Sequence, residues 1–191
     1  MCGADDGFSP YFTGLRLGYY RTGIGDPGWN YGTWSANGRG KCADQKYMCQ
    51  SLDDILRLPV GELFLDDAAF ALWFPQYTGA KGWPQDALRA WDFEPQTEGA
   101  WAKQSKTGRK WAFGQGKILR CAAEFYMIGT RGHPGLHSKS VRNLIVAPVR
   151  GHSVKPDELH QHIEQLYAGP YVELFARRRY PNWDGWGNQL Q

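Results

Sequence analysis

The chain has 191 residues, a comfortable length for one domain with its own core and a short one for two. Hydrophobic residues make up 42% and charged residues 21%, which excludes a disordered or low-complexity chain. The balance of 22 Lys and Arg against 19 Asp and Glu leaves a net charge of +3, too small to name a partner.

In chain order, residues 1–18 form an N-terminal extension, and residues 19–25 read as a short strand feeding a polar turn, Asp26-Pro27-Gly28-Trp29. Ser51, with Asp54 three residues on and Ile55, Leu56 and Leu58 following, marks a capped helix start, and Pro59 stops that helix. Residues 69–74 are an apolar run suited to a buried strand, and residues 84–91 read as a helix with Pro84 in its first turn. Residues 100–103, 125–130 and 144–149 are further strand candidates. The clearest helix spans 156–167, with Leu159, Ile163 and Leu166 on one face; Gly169-Pro170 breaks it, and a last strand covers 171–176. Strands alternating with helices predict one α/β domain over 1–191, its sheet mainly parallel with helices on both faces. Ligands bind such sheets at the carboxyl ends of strands, which singles out the loops 26–29 and 177–189.

Charge is unevenly spread. Residues 103–156 hold eleven basic side chains and one acidic one, Glu124, while the segments on either side are net negative. A single-sign block predicts an anionic partner, nucleic acid first, against the plainer reading of a solvated face. Within it Lys103, Lys106, Arg109, Lys110, Lys117 and Arg120 surround Gly108, Gly114 and Gly116. That makes 103–120 a candidate substrate loop, with cations meeting phosphates and Trp111 or Phe113 stacking on a displaced base. Nine Trp, ten Tyr, nine Phe and 24 Gly suit either a flat ligand or an aromatic core with tight turns. Cys2, Cys42, Cys49 and Cys121 contain no close pair, and His133, His137, His152, His160 and His162 fall at no metal spacing, so no metal is expected. No charged leader precedes an apolar run and no stretch approaches the ~18 apolar residues of a span; the expectation is a cytoplasmic protein with free thiols and no membrane contact.

In the turn, Pro27 fixes one φ and carries no N–H, so neighbouring carbonyls can face a ligand; Asp26 adds an acceptor and Trp29 an aromatic plate. Such a set suits a planar molecule bearing an amino group, although Asp-Pro-Gly is also common turn chemistry. Further along come Tyr47-Met48, Ser51-Leu-Asp-Asp54-Ile, Phe70-Ala-Leu-Trp-Phe74, Leu88-Arg-Ala-Trp91, Trp101-Ala-Lys103 and Thr107-Gly-Arg109. Near the end stand His152-Ser-Val-Lys-Pro-Asp-Glu158, Glu173-Leu-Phe-Ala-Arg177 and Pro181-Asn-Trp-Asp-Gly-Trp-Gly-Asn-Gln189. From about Tyr20 to Gln191, this order and spacing resembles the MTA family of N6-adenine methyltransferases. The family includes the catalytic subunit of the eukaryotic mRNA adenosine methyltransferase and many bacterial and phage members.

The resemblance implies a Rossmann-like methyltransferase fold, S-adenosyl-L-methionine as cofactor, and methyl transfer to the exocyclic N6 amine of adenine. It makes Asp26, Pro27, Gly28 and Trp29 the catalytic turn: the Asp26 carboxylate and Pro27 carbonyl accept the amine hydrogens, and Trp29 stacks on the base. Asp26 also counts among the cofactor residues, with Lys155 for the methionine carboxylate, Glu173 and Arg177 around the ribose, and Asn188 and Gln189 at the ribose and adenine edge. Tyr47 joins the six cations of the basic loop on the substrate side. The chain departs from the family at position 28, where a second proline is usual; glycine keeps the carbonyl but loosens the turn. The family's His-Asn after the arginine is replaced by Arg178-Arg179, so those contacts do not carry over. DNA is the expected substrate, because the chain looks like a bare catalytic domain of the bacterial and phage kind, working in a bacterial or phage-infected cell. The same chemistry on RNA, or a non-catalytic nucleic-acid-binding subunit with a decayed turn, are the alternatives. Specificity would then be low or supplied by a partner, and a homodimer or a complex with a partner subunit is the expected assembly.

Overall fold

Strand β1 (Tyr20–Gly25) lies inside a seven-stranded sheet, and its sequence explains how closely its neighbours approach. A Cβ at Gly23 would meet the Phe64 and Phe70 rings at 2.6 and 2.7 Å, and one at Gly25 would meet Phe70 at 2.9 Å, so glycine at both positions makes room for those rings. The computed structural model describes residues 7–30, 50–114, 116, 118–151 and 154–190. After β1 come α1 (Leu52–Leu56), a 3-10 turn (Val60–Leu63), β2 (Phe64–Phe74), α2 (Gln76–Gly79), α3 (Trp83–Ala90), β3 (Glu94–Gln104) and β4 (Ala123–Arg131). Then follow β5 (Leu144–Pro148), α4 (Glu158–Leu166), β6 (Tyr171–Leu174) and β7 (Trp183–Trp186).

The strand order is β5-β3-β4-β2-β1-β6-β7. β4 is antiparallel to both β2 and β3, and the other four pairings are parallel. Strand β2 is apolar on both faces because both are covered. Ala68, Phe70, Leu72 and Phe74 pack with Ile55, Leu58, Ala87, Leu88 and Trp91 from the α1 and α3 side. Ala71 and Trp73 pack with Trp101, Ile145, Leu159 and Ile163 on the α4 side. The mixed, mainly parallel sheet with helices on both faces is the Rossmann-like architecture expected. Burying one side chain such as Phe70 contributes about 1.5–3 kcal/mol.

The Ser51 box forms as read: the Ser51 hydroxyl accepts from the Asp54 N–H, and the Asp54 carboxylate accepts from the Ser51 N–H. Three expectations need correction. Strand β2 begins at Phe64, five residues before the apolar run: exposed Asp66 and Asp67 interrupt the apolar pattern, and the register with β1 shifts across them, from Tyr20–Phe64 to Thr22–Ala69. Strand β3 begins at Glu94, since its polar first half is exposed but paired with β4. Residues 183–186 are no loop: they pair parallel with β6 as an edge strand, too short for periodicity to register. Within the N-terminal extension, residues 7–18 are described: Phe12 is fully buried and Leu15 is 2% exposed, in the core shared with Phe70.

Topology now fixes the site. Gly25 pairs with Leu174, so the parallel strands β1 and β6 bring residues 26–29 beside residues 175–177. Because β4 runs the other way, its start at Ala123 and Glu124 lies beside the carboxyl end of β3, where Trp101 pairs with Glu124.

Candidate active site

The turn after β1 is tied down by its backbone. The Asp26 N–H donates to the Leu174 carbonyl at 3.4 Å, and the Trp29 N–H to the Pro27 carbonyl at 3.0 Å. The Gln50 N–H donates to the Gly28 carbonyl at 2.9 Å, and the Asn30 N–H to the Gln50 carbonyl at 3.1 Å. Pro27 therefore keeps one lone pair for a ligand, the other being used inside the turn. Trp29 departs from expectation. It is 5% exposed, its Nε1 donates to the Trp73 carbonyl at 3.0 Å, and its ring lies 6.5 Å from that of Trp83. Its indole serves the core and anchors the turn; it is no exposed plate on which a base could stack.

Asp26 is the centre of a half-buried charge network. The Lys155 ammonium donates to Asp26 Oδ1 at 2.7 Å and Oδ2 at 2.8 Å, and lies 3.2 Å from Glu124 Oε2. Lys103 pairs with the other Glu124 oxygen, and the Arg177 guanidinium lies 3.7 Å from Asp26 Oδ2. The floor is Trp73, whose ring centroid is 5.7 Å from the Lys155 ammonium. Burial pushes the Glu124 carboxyl up, but Lys155 and then Lys103 outweigh it and hold the pKa down at about 2. Burial likewise disfavours the charged Lys155, yet Asp26 and Glu124 raise its pKa above the ordinary lysine value. Three cations thus face two carboxylates.

The segment that delivers Lys155 leads into α4. Asp157 makes no side-chain cap; its carboxylate pairs instead with Arg150 and Arg178. Arg178, one of the two residues replacing the family's His-Asn, therefore fastens the loop after β6 to the start of α4. Glu173 points to the same helix: its Oε2 lies 3.1 Å from Nε2 of His160. Arg177, Asn188 and Gln189, with Leu190, line an open cavity of about 520 Å³.

The basic loop divides. Lys103, at the carboxyl end of β3, belongs to the buried network. Lys106, Arg109 and Lys110 sit on an exposed turn closed by the Gln104–Trp111 bridge. Arg120 donates to the Gly114 carbonyl and lies 4.7 Å from the Phe113 ring centroid. Trp111 and Phe113 are 61% and 60% exposed. Tyr47 and Lys117 lie outside the described residues. Sequence reasoning missed Glu124 as a site residue. Its only signal was to be the sole acid in a basic block, and the rule of strand carboxyl ends overlooks a residue at the start of an antiparallel strand. Among the described residues, no three His, Cys, Asp or Glu come together as a metal-binding group, and no helix is long and apolar enough to cross a membrane.

Comparison with known proteins matches residues 20–189 to the MT-A70 family. The chain is 31% identical over 185 residues to the Drosophila melanogaster N(6)-adenosine-methyltransferase MT-A70-like protein, covering 91% of this chain and 27% of that protein. It is 34% identical over 143 residues to the human N(6)-adenosine-methyltransferase catalytic subunit METTL3, covering 72% of this chain and 24% of that protein. It is 25% identical over 189 residues to the Type II methyltransferase M.MunI of Mycoplasma sp, covering 90% of this chain and 78% of that protein. The chain spans about a quarter of the length of the first two and most of the third. With residues 20–189 matched and the charged turn at the ends of β1 and β6, the chain belongs to the MT-A70 family.

Proposed function

We propose that the chain transfers a methyl group from S-adenosyl-L-methionine to the N6 amine of adenine in nucleic acid, with DNA as the substrate. The observation that carries this reading is the Asp26 carboxylate, gripped through both oxygens by Lys155 at the carboxyl end of β1 and flanked by Arg177. The residues present fit the cofactor. Arg177, Asn188 and Gln189 line a cavity of about 520 Å³, and the excess cation of the network suits a carboxylate such as the methionine's. Glu173 supplies an acceptor for ribose hydroxyls, and the Asn188 and Gln189 amides can both donate and accept at a base edge.

When bound, S-adenosyl-L-methionine supplies an electrophilic methyl group on a sulfonium. The chain's own residues do the positioning. An adenine amine is a poor nucleophile because its lone pair is delocalised into the ring. The Asp26 carboxylate and the remaining Pro27 lone pair accept its hydrogens and draw the nitrogen towards a pyramidal, nucleophilic form. Lys155 and Arg177 hold the carboxylate in place before substrate arrives, so no reorganisation is needed during the reaction. Glu124 keeps Lys155 and Lys103 from repelling each other at the base of the site.

The DNA reading is supported by the resemblance to bacterial and phage members and by the match along 78% of the Mycoplasma type II methyltransferase. The higher identity to human METTL3, 34% against 25%, favours RNA as the second reading. Methyl transfer to matched DNA and RNA oligonucleotides, single- and double-stranded, decides between them: label in adenine of DNA alone supports the first, and label in RNA alone overturns it. Cofactor binding without transfer to either would leave the non-catalytic alternative.

A further inference from the structure

We infer that His160 is a positioning residue that acts through Glu173; the inference rests on the proposed reading, in which that carboxylate accepts from the cofactor's ribose. His160 is on the inner face of α4 and is 7% exposed. Its Nε2 lies 3.1 Å from Glu173 Oε2. The imidazole is clamped as a ring: it stacks on Tyr180 at 4.1 Å and 16°, and meets Trp183 edge to face at 4.8 Å and 74°. Trp183 is itself fixed, stacking on Tyr171 at 4.8 Å and donating from Nε1 to Glu164 at 2.8 Å. The clamp leaves the imidazole little freedom to turn, so its hydrogen-bond direction is set by packing.

A carboxylate only accepts, so Nε2 carries the hydrogen. Nδ1 is buried without a hydrogen-bond partner among the described residues. One oxygen of Glu173 is thereby committed to His160, which holds the carboxylate in a single orientation and leaves Oε1 to accept from a ligand hydroxyl. Packing alone does not call for histidine here. An aromatic hydrocarbon ring would stack on Tyr180 and fill the same space without burying an unmet nitrogen. The polar ring is justified by what it does to Glu173.

The test is calorimetry of S-adenosylhomocysteine binding, with thermal melting, on the whole chain carrying His160→Phe, His160→Gln, Glu173→Ala or the double change His160→Phe with Glu173→Ala. Expected for His160→Phe is a melting temperature equal to or above wild type and an affinity weaker by about five- to tenfold, the scale of one lost hydrogen bond. His160→Gln, which restores a donor at similar reach, should recover most of that loss. The double variant should bind no worse than Glu173→Ala alone, because the histidine then has nothing to position. In turnover assays the loss should fall on KM for S-adenosyl-L-methionine and not on kcat. Wild-type affinity in His160→Phe alongside weakened Glu173→Ala would overturn the inference and spare the cofactor assignment. Unchanged affinity in Glu173→Ala would remove the cofactor assignment of Glu173, and the inference with it. Additive losses in the double variant, or a Phe variant that melts early and is not rescued by Gln, would show a packing role and overturn it as well.

Discussion

Lys103 and Lys106 are three residues apart in the same basic block, yet they do opposite things. Lys103 lies one residue before the end of β3, its side chain 13% exposed and paired with Glu124; Lys106 sits on the exposed turn beyond, with Arg109 and Lys110, where no ion pair is formed among the described residues. The same split runs through the block. Lys155 is engaged by Asp26 and Glu124, and Arg131 donates to the carbonyls of Gly61, Phe64 and Leu65, bracing the start of β2. Arg150 pairs with Asp157 and Glu158 at the start of α4. A net charge of one sign therefore describes two regions with different physics. In one, desolvated cations organise carboxylates at short range. In the other, hydrated cations act on an anionic partner at long range and are screened by salt.

The largest effect should come from the buried region. Asp26→Asn keeps the shape of the side chain but removes its charge, and the turn loses the group that Lys155 and Arg177 orient. Turnover should fall by about 10²- to 10³-fold, the scale for a preorganised electrostatic group, while circular dichroism stays native. Activity within tenfold of wild type would move the chemistry away from this turn.

Next in size is the stability of the buried network. Glu124→Gln leaves Lys103 and Lys155 without their shared counter-charge, and removing one member of a buried pair costs about 3 kcal/mol. Chemical denaturation measures it directly. The pH dependence gives an independent sign. The folded carboxyl lies below its unfolded value, so its contribution is fully present above the ordinary value of 4.5 and is lost as pH falls towards about 2. Wild type should therefore lose its advantage over Glu124→Gln between those limits. A constant difference down to the acid end would show that the pair does not supply the stability.

The exposed region should respond to salt and hardly at all in stability. Neutralising Lys106, Arg109 and Lys110 together should flatten the log–log dependence of nucleic-acid affinity on salt. The slope should change by about 0.9 for each duplex phosphate that the variant no longer neutralises, or by about 0.7 on single strands. Cofactor affinity and melting should stay near wild type. Superimposable salt titrations would put the nucleic-acid groove elsewhere and leave the turn as ordinary solvated surface.

The smallest effect tests the departure at position 28. Gly28 is not in the left-handed region, so Gly28→Pro should stabilise the turn by about 0.4–1 kcal/mol through the unfolded chain. A modest rise in kcat would accompany it if looseness of this turn limits positioning. A destabilised variant would show that the backbone around Gln50 and Gly28 has settled into a form that excludes the second proline.

Much of this was legible in local patterns. The strand before Asp26, the Ser51 box, the helix around Leu88 and the helix around Ile163 all follow from hydrophobic spacing and capping chemistry that neighbouring residues decide among themselves. The motif order placed Asp26 and Lys155 in one site, and the structure brings them together across 129 positions of chain. What local pattern could not carry was anything set by a partner distant in sequence. Strand β7 exists because β6 offers it an edge, and the polar half of β3 is a strand because β4 pairs with it.

The sequence by itself determined the fold class, the family and the identity of the charged turn, because periodicity, caps and motif spacing are properties of neighbours along the chain. Only the tertiary structure decided which charges meet. Reversing β4 swings Glu124 from the middle of a basic segment to the base of the site. Burial turns Trp29 from a stacking plate into an anchor hydrogen-bonded to Trp73, and sheet register puts His160 behind Glu173. Each of these depends on desolvation and on the direction of a neighbouring strand, which no window of sequence contains.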